Sequence, residues 1–266
     1  MQSATSEYKF LGKDLVSKRL SRQKIFVDSL FHESVFSTTK PDWGSVKKYC
    51  SQPYDQESFG NSSANAFCTA YKILDKSRGS VNAGNDEFEP SRAYLQVKES
   101  GEDEHSAQKY GICSESSFPY TEENVDSVSV SLETCDEEAS AHKITEYKQI
   151  PIDKNLIRNI EAMLSGQVPV LTLLNIYTSF ASTRSGVVRM PNPVHWNDLD
   201  DPLDPYLGTH EICIVGYSHD KQLFTMINSW GKNWGSDGFC YVPYSYLVNP
   251  QLGLEFSIIQ LERVAY

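Results

Sequence analysis

The sequence contains no long apolar run and no features of an exported chain. No stretch of about 18 consecutive apolar residues occurs, so the sequence predicts no membrane-spanning helix and no membrane partner. The first residues, MQSATSEYKF, are polar and do not predict a secretory signal peptide. We therefore expect a protein that lies in the cytoplasm or otherwise outside the secretory pathway.

Cysteines are few and form no motif. The six cysteines include no CxxC pair and no spacing typical of metal ligands, so no metal site is expected. Cys68 and Cys213 lie in apolar runs and are expected to behave as small core residues. Because an even count does not by itself predict disulfides in a chain of 266 residues, reduced thiols are favoured.

Positive charge is also in short supply. The chain has 24 basic and 35 acidic side chains and a formal net charge of −11. An acidic chain repels phosphate backbones, so a nucleic-acid partner is not expected. With 266 residues, of which 39% are hydrophobic, the chain is long enough for one large domain or two small lobes with an ample core.

The sequence does contain a helical first half followed by a β-rich second half. Apolar residues recur at helical spacing, which predicts helices at about 16–31, 62–75, 90–99 and 156–164. Gly166 is a stop signal after the last of them. Apolar runs bounded by polar turns predict strands at 168–176, 211–217, 222–228, 238–242 and 254–261. This order indicates an α+β fold with two lobes rather than alternating βαβ units.

A long loop is predicted just before the strand at 211–217. The stretch 190–207 is rich in proline and aspartate and precedes His210. Long loops beside a rigid sheet often line a binding site. His195 and Trp196 are therefore candidates for a substrate contact.

Three segments carry a recognisable pattern: YDQESFGNSSANAF at 54–67, GTHEICIVGY at 208–217 and INSWGKNWGSDGFCYV at 227–242. The third resembles the NSWGxxWGxxGY block of the papain-like cysteine peptidases, with Phe239 in place of the usual tyrosine. The second resembles that family's catalytic-histidine block, and the first its DQGxxGSCxA nucleophile block. With weaker likeness elsewhere, the resemblance covers about 41 to 262.

The resemblance implies a two-lobe α+β fold with the active-site cleft between the lobes. A helical left lobe would cover about 41–150 and a β-rich, barrel-like right lobe about 151–266. Residues 1–40 would be an N-terminal extension packed on the domain, or a short pro-region that contacts the cleft. The implied partner is a peptide or protein substrate, and the implied reaction is peptide-bond hydrolysis through a thioester intermediate, without a cofactor.

The resemblance also implies a role for each site residue. Ser62 stands at the nucleophile position, at a helix N-terminus where the dipole favours an anion. His210 would be the general base and acid, and Asn228 would orient it. The side chain of Gln56 and the Ser62 backbone N–H would bind the oxyanion. The expected substrate-binding residues are Gly60, Asn61, Thr209 and Trp230. Trp230 would also shield the Asn228–His210 hydrogen bond from water.

Each of these residues has a plainer reading when taken alone. Ser62 would be a helix cap, His210 a structural histidine and Asn228 a turn residue. The plainer readings lose force because the residues occur together and in the family's order.

The main departure from the family is serine at position 62. An alcohol is far less acidic than a thiol, so it does not form the thiolate–imidazolium pair, and we expect little or no peptidase activity. Three origins of the serine are open: an engineered Cys→Ser change, a natural pseudo-peptidase that binds peptides or acts as a scaffold, and a genuine Ser-His-Asn hydrolase. The first is favoured, because a non-catalytic protein has no chemical need of Gln56, His210 and Asn228.

Two further features bear on the compartment. Phe59 stands where many secreted relatives place a disulfide cysteine, so that bridge is missing. Asn61-Ser62-Ser63 matches the N-glycosylation pattern, and a glycan there would block the cleft. Both features favour a chain that avoids the secretory pathway.

Overall fold

The structure, a computed structural model, describes residues 42–79, 87–101, 106–125, 132–191 and 203–261. The strands in these ranges are β1 (Trp43–Ser45), β2 (Ile144–Gln149), β3 (Val170–Tyr177), β4 (Tyr206–Ser218), β5 (Leu223–Ile227), β6 (Phe239–Pro243) and β7 (Gly253–Leu261). The helices are α1 (Ser62–Ser77), α2 (Arg92–Gly101), α3 (Ser106–Lys109), α4 (Glu122–Val125), α5 (Glu133–Ala139), α6 (Leu156–Ser165), α7 (Thr178–Ala181) and α8 (Tyr244–Val248). The predicted α+β class is confirmed.

The strands form one antiparallel sheet in the order β2-β7-β3-β4-β5-β6, and β1 pairs with β4 beside this path. The right half was expected to be barrel-like, and this expectation is wrong in detail. The sheet is open, because β2 and β6 lie at its two ends and do not pair with each other in the described part of the chain. β4 lies near the middle, where its neighbours hold it on both sides.

β4 begins earlier than the sequence predicted. Its pairing with β3 runs from Val170↔Ile214 to Tyr177↔Tyr206, so the strand already includes residues assigned to the long loop before His210. The ladder with β3 overrides the local turn signals of the proline- and aspartate-rich stretch. His210 therefore lies inside a central strand and not at its head, and its side chain is fully buried.

α1 forms where the helical spacing predicted it, and it ends two residues later, at Ser77. The apolar positions of the predicted face are all buried, namely Ala64, Phe67, Cys68, Tyr71 and Leu74. This face packs against β4, and its residues belong to the same apolar cluster as those of the sheet. Burial of one such large side chain contributes about 1.5–3 kcal/mol, so α1 is held mainly by this contact. The contact brings the start of α1 to the middle of the sheet.

α6 ends at Ser165, as the stop signal at Gly166 predicted. The left-handed residue is the next one, Gln167, with φ 63°. The Gln167 N–H donates to the Leu164 carbonyl and the Val168 N–H to the Met163 carbonyl. These two bonds form a Schellman cap that satisfies the last carbonyls of the helix.

Some predictions fall outside the described residues. These are the helix near 16–31, the role of residues 1–40, and the substrate contacts of His195 and Trp196. The five short helices, β1 and β2 are additional elements that the sequence patterns did not predict. Among the described helices, none has the length and apolar character needed to cross a membrane.

Candidate active site

Ser62 is the first residue of α1 and is 2% exposed. Its Oγ accepts a hydrogen bond from the backbone N–H of Glu211, 3.1 Å away. Glu211 directly follows His210 on β4, so this bond ties the start of α1 to the backbone beside the histidine. The structure thus brings Ser62 and His210, which are far apart in sequence, to the same place.

The turn before α1 has no side-chain cap. Asn61 is the N-cap residue, but its side chain makes no capping bond to the helix. Its Oδ1 accepts from the Tyr120 hydroxyl at 2.5 Å and from the Asn65 amide at 2.9 Å. Asn61 therefore does not cap α1 with its side chain, because a tertiary contact takes its oxygen.

His210 and Asn228 form a buried pair. Asn228 follows the last residue of β5, and its Oδ1 lies 2.7 Å from His210 Nε2. The same Oδ1 accepts from the Ser229 N–H at 2.8 Å, and an amide oxygen only accepts. Nε2 of His210 must therefore donate to it. This fixes the tautomer and makes Nδ1 the basic nitrogen of the neutral ring.

Trp230 closes one side of this pair. It is 2% exposed, and its ring centroid lies 4.7 Å from that of His210. Trp230 packs edge-on against Trp234 at 5.0 Å and against Phe180 at 6.1 Å. This aromatic wall keeps water from the His210–Asn228 hydrogen bond.

Burial sets the acidity of the histidine. It lowers the pKa of His210 to about 4, because the charged ring loses its hydration. The hydrogen bond to Asn228 and the charge of Glu211 act in the opposite direction and only partly offset it. In this state His210 is neutral at physiological pH and is a weak base.

Gln56 lies in the loop before α1 with its side chain completely buried. Its Oε1 accepts from the Ser229 hydroxyl at 2.6 Å, and its backbone N–H donates to the Ser229 carbonyl at 2.8 Å. The oxygen contact fixes the orientation of the amide. The Gln56 Nε2 atom is buried and has no hydrogen-bond partner among the described residues. A fixed donor of this kind is suited to an oxyanion.

The remaining expected residues border the same place. Gly60 has φ 69°, a conformation that glycine adopts without strain, and it precedes Asn61 and Ser62. Thr209 is 2% exposed and precedes His210 on β4. In a strand, consecutive side chains point to opposite faces, so Thr209 and His210 face opposite sides of the sheet.

Sequence reasoning missed the supporting residues of the site. Ser229 holds both Gln56 and Asn228, and Tyr120 holds Asn61. Ser229 lies in the NSWG block, whereas Tyr120 lies outside the three segments that carry the resemblance. The contacts of Ser229 with Gln56 and of Tyr120 with Asn61 are long-range, and no local pattern predicts them.

Comparison with known proteins agrees with this geometry. A model of the papain family of cysteine proteases matches residues 99–251. A peptidase C1-like protein of Acanthamoeba polyphaga mimivirus, described as uncharacterized, is 28% identical over 228 residues, which are 77% of this chain and 68% of the viral protein. Zingipain-1 from Zingiber officinale is 28% identical over 134 residues, 50% of this chain and 52% of zingipain-1. The chain thus spans only about half of that plant relative.

Solved structures show the same fold. Xylellain, a cysteine protease from Xylella fastidiosa, superposes with a TM-score of 0.71 at 23% identity, over 99% of this chain and 94% of xylellain. Digestive procathepsin L2 from the larval midgut of Tenebrio molitor gives 0.64 at 21% identity, over 85% of this chain and 70% of its own. These identities establish the fold alone. The family match covers more than half of the chain, and the chain belongs to the papain family of cysteine proteases.

Proposed function

We propose that this chain is a papain-type endopeptidase whose activity is silenced by serine at position 62. The parental form carries cysteine there and hydrolyses peptide bonds in a peptide or protein substrate. Ser62 marks the nucleophile, His210 the general base and acid, Asn228 the orienting residue and Gln56 the oxyanion donor. Gly60, Asn61 and Trp230 line the place where the substrate binds, whereas the side chain of Thr209, also expected there, faces the other side of the sheet from His210.

One observation carries the proposal: the Gln56 amide donor and the tautomer of His210 are both fixed by hydrogen bonds before any substrate binds. Both groups belong to the site around position 62. The Ser229 hydroxyl orients the Gln56 amide, and Asn228 Oδ1 accepts from His210 Nε2. A buried donor without a partner costs about 1–3 kcal/mol, so Gln56 Nε2 is a costly feature unless a ligand oxygen uses it.

The reaction of the parental form follows from these positions. A thiolate at the N-terminus of α1 attacks the scissile carbonyl, and Gln56 Nε2 with the backbone N–H of residue 62 stabilises the oxyanion. Imidazolium at His210 gives its proton to the leaving amine, which produces a thioester acyl-enzyme. Water, deprotonated by the neutral imidazole, then hydrolyses the thioester.

Serine does not support the first step. A thiolate beside His210 would raise the low pKa of the histidine by ion pairing, whereas an uncharged hydroxyl does not. In the parental form the thiolate exists before the attack, whereas the proton of the Ser62 hydroxyl would have to leave during the attack itself.

The proposal includes a contact of residues 1–40 with the cleft. Four of the structurally similar proteins are proforms: procathepsins L2 and L3 from Tenebrio molitor, the ragweed protease Amb a 11 and procathepsin B from Trypanosoma congolense. In the Ser62→Cys variant, self-cleavage near Thr39 to Pro41 would support this part of the proposal. A full-length variant that stays intact while it cuts added peptides would argue for a packed extension.

The decisive experiment restores the thiol. Ser62→Cys is expected to cleave members of a peptide library and to lose that activity when iodoacetamide alkylates the introduced thiol. Ser63→Cys is the matched control, because Ser63 is the next residue of α1 and is 8% exposed. It should stay inactive.

A natural pseudo-peptidase and a serine hydrolase would behave differently in the same assay. If Ser62→Cys cleaves nothing but the chain binds peptides, it is a natural pseudo-peptidase. If the unaltered chain turns over substrate and Ser62→Ala abolishes the turnover, it is a serine hydrolase. The coding sequence at codon 62 in the source genome separates an engineered from a natural serine.

A further inference from the structure

The loop that carries the nucleophile position is strained and needs support. Between Gln56 and Ser62, Glu57 has φ 51° and Gly60 has φ 69°. Glu57 is not glycine, and a left-handed residue of this kind costs of order 1 kcal/mol. No disulfide supports this loop, because the six cysteines of the chain are free.

A tyrosine from outside the loop contacts both ends of it. The Tyr120 hydroxyl lies 2.5 Å from Asn61 Oδ1 and 3.1 Å from the Gln56 carbonyl oxygen. A hydroxyl has one proton, so the shorter bond to Asn61 takes most of it and the Gln56 carbonyl shares it weakly. The two residues are those that adjoin the nucleophile and supply the oxyanion donor.

The ring of Tyr120 is itself held on two sides. Phe59 packs edge-on against it, with 5.3 Å between centroids, and the Arg92 guanidinium lies 3.7 Å from its centre. Arg92 also donates to the Asp55 carbonyl and to Asn65 Oδ1, each at 3.2 Å. The Asn65 amide in turn donates to Asn61 Oδ1. The tyrosine therefore has little freedom to move away from the loop.

We propose that Tyr120 is a positioning residue of this site: its hydroxyl sets the distance between the oxyanion donor at Gln56 and the nucleophile at position 62. Phe59 packs on the ring and holds it in place. The inference rests on the proposed function, because positioning matters only if residue 62 performs chemistry. Tyr120 lies outside the segments that carry the catalytic residues, and it is expected to affect the rate of the reaction and not the affinity for substrate.

The test uses Tyr120→Phe in the Ser62→Cys chain. The substitution removes the hydroxyl and keeps the ring contacts with Phe59 and Arg92. We expect kcat to fall about tenfold with KM unchanged, because one hydrogen bond is lost on the reacting side of the site. Asn61→Ala should lower kcat by a similar factor, and the double variant should lose little more, because both changes break the same contact.

Tyr94→Phe is the matched control. Tyr94 also donates its hydroxyl to a side chain in this half of the chain, to Asp136 at 2.6 Å, and among the described residues no hydrogen bond joins this hydroxyl to the nucleophile loop. It should lower the melting temperature without changing kcat. If Tyr94→Phe and Tyr120→Phe lower kcat equally, Tyr120 has no special role and the proposal is wrong.

A second readout separates this proposal from the proposed function. In the Ser62→Cys chain, the pH dependence of alkylation of the introduced thiol by iodoacetamide, followed by peptide mass spectrometry, reports the thiolate directly and needs no turnover. The inflection should lie well below the usual thiol range of about 8.5, and Tyr120→Phe should move it upward while Tyr94→Phe should not. A low inflection without any peptide cleavage would contradict the function but leave the positioning role standing. An inflection that Tyr120→Phe does not move would overturn the positioning role even if peptides are cleaved.

Discussion

The hydroxyl of Ser62 is similar in size to a cysteine thiol but is a much weaker acid. Ser62 already begins α1 and already receives the Glu211 N–H, so a thiol at this position keeps the same helix start. Gln56 and Asn228 are held by hydrogen bonds to Ser229, and these bonds do not involve position 62. Exchange of this one atom is therefore expected to change the chemistry and leave the fold intact.

At the same scale, Gln56 offers a test of the oxyanion site. Gln56→Ala in the Ser62→Cys chain should lower kcat about a hundredfold or more with a small change in KM, because the lost donor acts on the transition state. The measurement is steady-state kinetics on one peptide from the library. Gln149→Ala is the control, since its amide donates to Glu255 Oε1 on the β2–β7 edge of the sheet. Equal losses in the two variants would show that Gln56 has only a structural role.

At the scale of the element, the periodicity of apolar residues predicted the long helices and missed the short helices. α1 and α6 present several apolar residues on one face, so their sequences predicted both their presence and their limits within a few residues. The helices of four or five residues are too short for a period to appear. The early start of β4 at Tyr206 depends on its partner β3, and no local pattern contains that information. The three segments that resemble the family predicted Gln56, His210 and Asn228, because the pattern is local to each segment. The contacts of Tyr120 with Asn61 and of Ser229 with Gln56 join distant parts of the chain, so the sequence patterns did not predict them.

The contact of α6 with the turn between β4 and β5 makes the stability of the fold depend on pH. His219 Nδ1 lies 2.8 Å from Glu161 Oε1, and the hydrogen bond and charge of Glu161 raise the pKa of His219 above its usual 6.5. A raised pKa stabilises the fold fully below the unfolded value, and the contribution is lost as pH rises through the folded value. His219→Ala should therefore lower the melting temperature more at about pH 5.5 than at about pH 8.5. Because the His219 side chain is 56% exposed, the difference should be about 2 °C or less.

His142 provides a control of opposite sign. Burial lowers its pKa, and its ring is stacked on Phe88 with 3.8 Å between centroids. Its folded state favours the neutral ring, so its contribution is greatest at high pH and falls as pH drops below the unfolded value of 6.5. His142→Ala should lower the melting temperature more at about pH 8.5 than at about pH 5.5. Parallel pH trends in the two variants would contradict both assignments.

At the scale of the whole molecule, α1 and the sheet share one core, and a smaller second cluster of buried residues lies within the helical half. A single cluster of buried apolar side chains contains Leu74 and Ile73 from α1 together with Val215 and Phe224 from the sheet. The site has the same division, since Ser62 comes from α1 and His210 from β4. Because the two halves bury each other's apolar surface, neither is expected to unfold while the other stays folded.

This shared core predicts that a cavity in α1 destabilises the sheet as much as the helix. Leu74 is 1% exposed, so Leu74→Ala should lower the free energy of unfolding by about 2–5 kcal/mol. In a Trp196→Phe background, fluorescence reports mainly on the packed pair Trp230–Trp234 in the second half, because Trp43 is already 70% exposed. Its denaturant midpoint should shift by the same amount as the far-ultraviolet circular dichroism midpoint. Ile152→Ala, at a position 51% exposed, should leave both midpoints nearly unchanged. If Leu74→Ala moved the circular dichroism midpoint alone, the halves would be separate folding units, and the catalytic groups would be held together only by the native contact between α1 and β4.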